Sequence, residues 1–468
     1  MKTRLCFSCL IGAAYDGRAG GGADFCREPV KSNSAIESFG RLDRKVRASA
    51  SAVDAVHDLR RGNLAATSWL AHGNGQSYGD SSHNDAGMLV RSVERARIYS
   101  FDSTTGIITA EPGVTLGDII LHAGPQGWFL PVTPGTKFVT LGGAIANDVH
   151  GKNHHRRGSF GCHVISFDLL RSDGVIRRCS AGENAGLFNA TIGGFGLTGL
   201  ILSASVQMMK VSSVDVTETV TAFKTLDQYL GLAEAADHEN EYAVAWLDQL
   251  SADGRGLLLS ANHAPEAGFR PHRLAPRLTI PVRPPASCLN RLSLSAFNAA
   301  YFHGKGRDHA PRIAGYDGYF YPLDQVGNWN YLYGPKGLFQ HQSLIPFDAA
   351  RQTLPQLLLA SRKAGQASFL TVLKRFGDKK SPSLTPFARP GFTLTLDFPN
   401  GGAKTLALLS ELDRITVDAG GAVNAYKDAR MSAQTFQASY PDWRELEAMR
   451  DPAFVSDFWK RTALALSK

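Results

Sequence analysis

The sequence predicts an α+β fold, and three observations carry that prediction. Apolar runs of strand length are paired across short turn signals, most clearly residues 164–170 and 175–179 around Ser172-Asp173-Gly174. Helical runs stand elsewhere, opened by a capping side chain and closed by a breaker, as at Thr115 and at Gly124-Pro125. A chain of 468 residues exceeds the usual single-domain range, so two domains with room for a sizeable core are expected.

In chain order, residues 96–101 and 106–110 form a hairpin across Asp102-Ser103-Thr104-Thr105. Thr115 caps a helix over 116–123. The hairpin at 164–179 follows, and residues 199–208 alternate apolar and small side chains as a strand does. Residues 226–236 and 354–364 read as helices. The Pro- and Arg-rich stretch 263–287 reads as a mobile surface loop. No internal repeat appears.

Composition excludes several classes of protein. Hydrophobic content of 43% with 20% charged residues describes a globular chain, neither disordered nor fibrous. No segment reaches the roughly 18 apolar residues of a membrane span. A formal charge of +8 favours anionic partners, but the basic residues are scattered and no nucleic-acid motif appears. Met1-Lys2-Thr3-Arg4 precedes a signal-like apolar stretch, yet that stretch is short and no A-x-A site follows. A flexible leader over 1–40 and a cytoplasmic setting are therefore expected. Cys6-x-x-Cys9 has no second ligand pair nearby, and Cys162, Cys179 and Cys288 lie far apart, so neither a metal site nor a disulfide framework is expected.

Two glycine-rich loops carry the chemistry: His72-Gly73-Asn74-Gly75-Gln76-Ser77-Tyr78-Gly79-Asp80, and Gly142-Gly143-Ala144-Ile145-Ala146-Asn147-Asp148-Val149-His150-Gly151-Lys152-Asn153-His154-His155. Glycine admits positive φ and lets backbone N–H groups approach a ligand, so two such loops between apolar segments suggest a cradle for a pyrophosphate. Neither fits the common nucleotide templates. There is no G-x-x-x-x-G-K-[ST], and the pattern begun at Gly73-Asn74-Gly75 meets Tyr78 where a third glycine is needed.

These loops resemble the FAD-binding half of the vanillyl-alcohol-oxidase, or PCMH, type of flavoenzyme. Within that group the chain is most similar to the decaprenylphosphoryl-β-D-ribose 2′-oxidase family. The blocks that carry the likeness include Ser77-Tyr78-Gly79-Asp80, Pro134-Gly135-Thr136, residues 141–155, Gly158-Ser159-Phe160-Gly161 and Gly193-Gly194-Phe195-Gly196-Leu197-Thr198-Gly199. Tyr321-Pro322-Leu323-Asp324, Tyr333-Gly334-Pro335, Phe369-Leu370, Lys374, Asp397-Phe398-Pro399 and Lys427-Asp428-x-Arg430 continue it.

The resemblance implies a discontinuous FAD domain, residues 41–213 with a returning segment 422–468, around a substrate domain at 214–421 built on an antiparallel sheet. It implies FAD contacts from Gly73, Asn74, Gly75, Gln76, Ser77, Tyr78, Gly79, Asp80, Gly135, Thr140, Leu141, Gly142, Gly143, Asn147, Asp148, Val149, His150, Ile201 and Asn424. Lys427, His150 and Tyr78 are the expected catalytic residues. Lys152, Phe320, Trp329, Gln340, Gln342, Lys374, Thr393 and Thr395 are the expected substrate contacts. Gln340 and Gln342 alternate along one strand and so share a face. No metal is expected at Lys152 and His154-His155, which lack a carboxylate or further ligand.

The expected reaction is oxidation of the 2-hydroxyl of a polyprenylphosphoryl-β-D-ribofuranose. A separate NAD(P)H-dependent short-chain reductase would complete epimerisation to an arabinofuranose donor, and peripheral membrane contact is expected. The alternative is a soluble sugar, alditol or aldonolactone oxidase of the same fold, against which no His-Trp-x-Lys stands near the C-terminus. Four positions depart from the family pattern. Gln76 replaces a histidine that bonds covalently to flavin in many relatives, so the FAD is expected to be non-covalent. Thr395 stands for the cysteine targeted by nitroaromatic inhibitors, and Asn424 and Phe320 each stand for a tyrosine.

Overall fold

The computed structural model describes residues 36–43, 45–62, 68–265, 276–307 and 310–466. The expected leader lies mostly outside them. Its last residues, 36–40, do not behave as a leader: Phe39 N–H donates to the Ser77 carbonyl at 2.8 Å, and the Ser38 hydroxyl donates to the Tyr78 carbonyl at 3.0 Å. Much of the 263–287 loop also lies outside the described residues.

A small parallel sheet joins β1 (Ser49–Ser51), β2 (Trp69–His72) and β3 (Met88–Arg91) in the order β1-β3-β2. A five-stranded antiparallel sheet follows, from β4 (Ile98–Asp102), β5 (Ile107–Ala110), β6 (Val164–Leu170), β7 (Ile176–Ser180) and β8 (Leu200–Gln207), in the order β4-β5-β8-β6-β7. Both expected hairpins are therefore present. The helix after Thr115 runs Leu116–Ala123 and opens with a full capping box, in which the Thr115 hydroxyl accepts from Asp118 N–H while the Asp118 carboxylate accepts from Thr115 N–H.

The larger sheet has eight strands: β9 (Val216–Phe223), β10 (Tyr242–Leu247), β11 (Gly256–His263), β12 (Arg312–Ala314), β13 (Leu338–Ile345), β14 (Val372–Phe376), β15 (Gly391–Pro399) and β16 (Ala422–Val423). Their order is β12-β9-β11-β10-β14-β15-β13-β16, every pairing antiparallel. The start of the expected returning segment, β16, is thus an edge strand of this sheet. Helices Leu226–Glu239, Phe347–Lys363 and Ala403–Asp418 contribute to one core with Leu373, Leu394, Leu396 and Phe398 of the sheet. The first runs one turn past the expected end and the second starts at Phe347, two turns before the expected start, directly after its N-cap Pro346. Side chains alternate along a strand. With the leucines turned to the helices, Gln340, Gln342, Lys374, Thr393, Thr395 and Asp397 fall on the opposite face.

Candidate active site

A cavity of about 880 Å³ lies between that polar face and the two glycine loops, within the size range of small-molecule sites. The loop after β2 brings Gly73 to Tyr78 to its edge. Thr140 caps the short helix Leu141–Ala146, its hydroxyl accepting from Gly143 N–H at 3.2 Å. A Cβ on Gly73 would lie 2.6 Å from that same hydroxyl oxygen, so only glycine lets the two loops meet. The Asn74 amide ties them by donating to the Phe138 carbonyl at 3.0 Å. A Cβ on Gly135 would meet nothing within 4 Å, leaving its backbone open to the cavity.

At the centre stand His150, Lys374, Lys427 and Tyr78. His150 Nε2 lies 3.0 Å from Gln342 Nε2, and its Nδ1 lies 3.5 Å from Lys374 Nζ. Burial holds the His150 ring well below the usual histidine value, reinforced by Lys374. Burial lowers the Lys374 amine to about 7, with Lys427 adding repulsion. Lys427 Nζ sits 4.5 Å from the Tyr78 ring centroid, and burial lowers its amine to about 8 against the opposing pull of Asp397. Lys152 is lowered to about 7, first by burial and then by Lys374; its ammonium donates to the Tyr319 carbonyl and lies 4.2 Å from that ring.

Most of the expected residues line this cavity, including Asn74, Gln76, Ser77, Asn147, Val149, Ile201, Asn424, Phe320, Trp329, Gln340 and Thr395. Four do not. Gly79 is pressed against Asp428, whose carbonyl oxygen would lie 1.8 Å from an added Cβ. Asp80 turns to Arg461, accepting at 3.0 and 2.8 Å. Leu141 is fully buried in the hydrophobic core that joins the two larger sheets. Thr393 is fully buried, and its hydroxyl accepts from Gln342 Nε2 at 2.9 Å. Asp148 lines the cavity, but its carboxylate is taken by Gly161 N–H at 2.8 Å and the Ser381 hydroxyl at 2.5 Å, which hold its backbone at φ 42°. Gln340 also spends its amide internally, donating to Asp397 at 2.6 Å.

Two residues beside the site carried no assigned role in the sequence. Phe39 lines the cavity and packs on Tyr78 and Trp329 at 5.2 and 5.3 Å; nothing local signals it, since its partners are distant in the chain. Asp397 is fully buried near Lys427, and burial lifts its carboxyl to about 7, opposed by Gln340 and then Lys427. Its signal was the alternation with Thr393 and Thr395. Asp428, the sequence neighbour that would neutralise a surface Lys427, instead accepts from the backbone N–H groups of Arg430 and Met431 at 2.8 and 2.6 Å.

Backbone loops free of obstructing side chains, beside apolar side chains such as Tyr78 and Phe387, fit a flavin dinucleotide. The family model described as FAD binding domain matches residues 49–180, and the fold and loops with it define an FAD-binding oxidoreductase. The decaprenylphosphoryl-beta-D-ribose oxidase of Mycolicibacterium smegmatis is 34% identical over 413 residues, covering 84% of this chain and 89% of the relative. The chain belongs to the decaprenylphosphoryl-β-D-ribose oxidase family. More partial likenesses reach the human Delta(24)-sterol reductase, 30% identical over 24% of this chain and 22% of the relative. The mouse L-gulonolactone oxidase is 27% identical over 29% of this chain and 30% of the relative.

Gln76 places an amide, not an imidazole, at the flavin loop, and that amide donates to the Asn74 carbonyl at 3.0 Å. Acid precipitation of the holoprotein is expected to leave all of its flavin absorbance in the supernatant. Flavin retained in the washed pellet would show a covalent link elsewhere.

Proposed function

We propose that this chain oxidises the 2-hydroxyl of a polyprenylphosphoryl-β-D-ribofuranose to the 2-keto sugar. One observation carries the reading: three half-buried amines, Lys152, Lys374 and Lys427, face one cavity, with their pKa values lowered by desolvation. Buried cations need partners, and a phosphate beside Lys152 and Lys374 would restore their charged forms. Trp246, Phe297 and Phe369 along the same cavity offer apolar wall for the start of a prenyl chain. The likeness to the decaprenylphosphoryl-beta-D-ribose oxidase of Mycolicibacterium smegmatis supports the same substrate.

Bound FAD supplies the acceptor for the two electrons and the hydrogen leaving carbon. The chain's part is to hold the sugar and take the hydroxyl proton, and Lys427 is the group assigned to that proton. Gln342 and Thr395 orient the ring hydroxyls, while Lys374 and Lys152 hold the phosphate side. Residues 41–213 and 422–468 are assigned to the cofactor, and 214–421 to the substrate. A short-chain NAD(P)H-dependent reductase would complete epimerisation.

No helix among the described residues is long and apolar enough to cross a membrane. Peripheral contact with the lipid is proposed through exposed Leu278, Val282 and Leu292, next to the exposed Arg277 and Arg291.

Anaerobic flavin bleaching tests the reading. Farnesylphosphoryl-β-D-ribofuranose is expected to bleach the oxidised band, while D-ribose, xylitol and L-gulonolactone leave it intact. Bleaching by a polyol or lactone instead would assign the chain to soluble-sugar oxidation. No bleaching by any of them would point to a flavin-binding scaffold without turnover.

A further inference from the structure

One line of hydrogen bonds along the cavity wall has its direction fixed at one end by the backbone. The Tyr426 amide can only donate, and it reaches Asn424 Oδ1 at 3.0 Å. The other end of that side chain is therefore its Nδ2, which donates to Gln342 at 2.9 Å. Gln342 must receive it with Oε1, which leaves Nε2 on the far side. From there Nε2 donates to Thr393 Oγ1 at 2.9 Å and to His150 Nε2 at 3.0 Å. Each amide has one acceptor end and one donor end, so no member can be turned without setting a donor against a donor or an acceptor against an acceptor.

The consequence falls on the imidazole. A ring nitrogen that accepts carries no proton, and in a neutral imidazole the proton then belongs to the other nitrogen. That nitrogen, Nδ1, faces Lys374 Nζ at 3.5 Å. The fit is consistent if Lys374 presents the lone pair of a neutral amine, since an ammonium would oppose N–H to N–H. Burial of both groups acts in that direction, and the other charged groups near them, Lys427 near both and His154 beside His150, are bases whose repulsion adds to it; the Gly151 backbone, hydrogen-bonded to the His150 ring, acts more weakly the other way.

We propose that Asn424 and Gln342 are positioning residues that hold His150 in the Nδ1–H tautomer with its proton aimed at Lys374. Asn424 does this without touching His150, entirely through the amide of Gln342. The proposal deepens the reading above, in that its value for catalysis rests on the sugar binding beside His150. The tautomer itself does not depend on which substrate binds.

The experiment is nitrogen-15 NMR of histidine-labelled, FAD-loaded full chain without substrate, with the His150 signals assigned by their loss in His150→Gln. Two-bond couplings to the ring carbon protons report which nitrogen is protonated. The wild-type enzyme is expected to show Nδ1–H. In Asn424→Asp the carboxylate accepts from both Tyr426 N–H and Gln342, so the glutamine amide turns over and presents its oxygen to the ring. His150 is then expected to switch to Nε2–H. Gln342→Glu provides the second variant and the same expected switch, since its carboxylate accepts from Asn424 on one side and from His150 on the other. A merely structural role for Asn424 would leave the tautomer unchanged. Nε2–H in the wild type overturns the proposal, as does Nδ1–H persisting in a flavin-loaded variant. If neither variant folds, the wild-type spectrum alone decides. Failure of lipid-linked ribose to bleach the flavin would overturn the substrate reading and leave this result standing.

Discussion

Replacing Lys427 with alanine is expected to lower the rate of flavin reduction by substrate about 10²–10⁴-fold, the range for loss of a positioned general base. The amine is half-buried, lies against Tyr78, and makes no ion pair among the described residues. Its position also sets a pH dependence. Burial lowers the folded-state value to about 8 from the ordinary 10.5, so the neutral, proton-accepting form grows in above about pH 8. The reduction rate in the wild type is expected to rise with pH through that value, and the residual rate of Lys427→Ala to lack the step. A flat wild-type profile would mean that the lysine acts as an ammonium stabilising negative charge, not as a base. The same shift predicts a stability trend of definite sign. Between about 8 and 10.5 the unfolded chain binds more protons at this position than the native one, so the contribution of Lys427 to stability becomes more favourable as pH rises across that window. Below about 8 both states are protonated and the native state bears the burial penalty in full. Urea unfolding at pH 7.5 and pH 10 should show a smaller gain for Lys427→Ala than for the wild type.

Asp428→Ala is expected to cost about 3–5 kcal/mol of stability, the range for removing one partner of a buried ion pair. Asp428 is 4% exposed. Its carboxylate accepts from two backbone N–H groups, from Arg461 Nη2 at 3.2 Å, and faces Arg430 Nε at 3.6 Å. Arg461 continues to Asp80 on the first glycine loop, and Arg430 continues to Asp413, whose carboxylate also meets His341 Nε2 at 3.1 Å. This network ties the flavin loop, the helix Ala403–Asp418 and the C-terminal helices behind Lys427. Removing its central anion leaves two guanidinium groups short of a partner. Urea unfolding followed by tryptophan fluorescence checks the magnitude, and weakened FAD retention should accompany it. A loss below about 1 kcal/mol would place the clasp among exposed ion pairs of little consequence.

Much of the site was legible because its signals are local. Strand alternation put Gln340 with Gln342 on a common face, as the register of β13 against β15 confirms. The capping Thr115 and the Ser172-Asp173-Gly174 turn depend on neighbours a few residues away, and both appear where the sequence placed them. Glycine at Gly73 announced close backbone approach, and family likeness extended the signal to the cofactor.

What lies opposite each face is a different kind of information. Asp80 sits within the flavin loop motif, yet its partner Arg461 is 381 residues away. Phe39 reads as part of a leader until Tyr78 and Trp329 close on it. Asp428 follows Lys427 directly, but the turn at 428–431 bends its carboxylate back onto its own backbone and leaves the lysine to the cavity. The sequence by itself determined the α+β elements, the faces their side chains share and the glycine cradle, because short-range sterics and periodicity settle those. Only the tertiary structure decided which buried charges are neutralised and which are left facing the ligand, because a burial penalty is set by partners that the chain brings together from hundreds of residues apart.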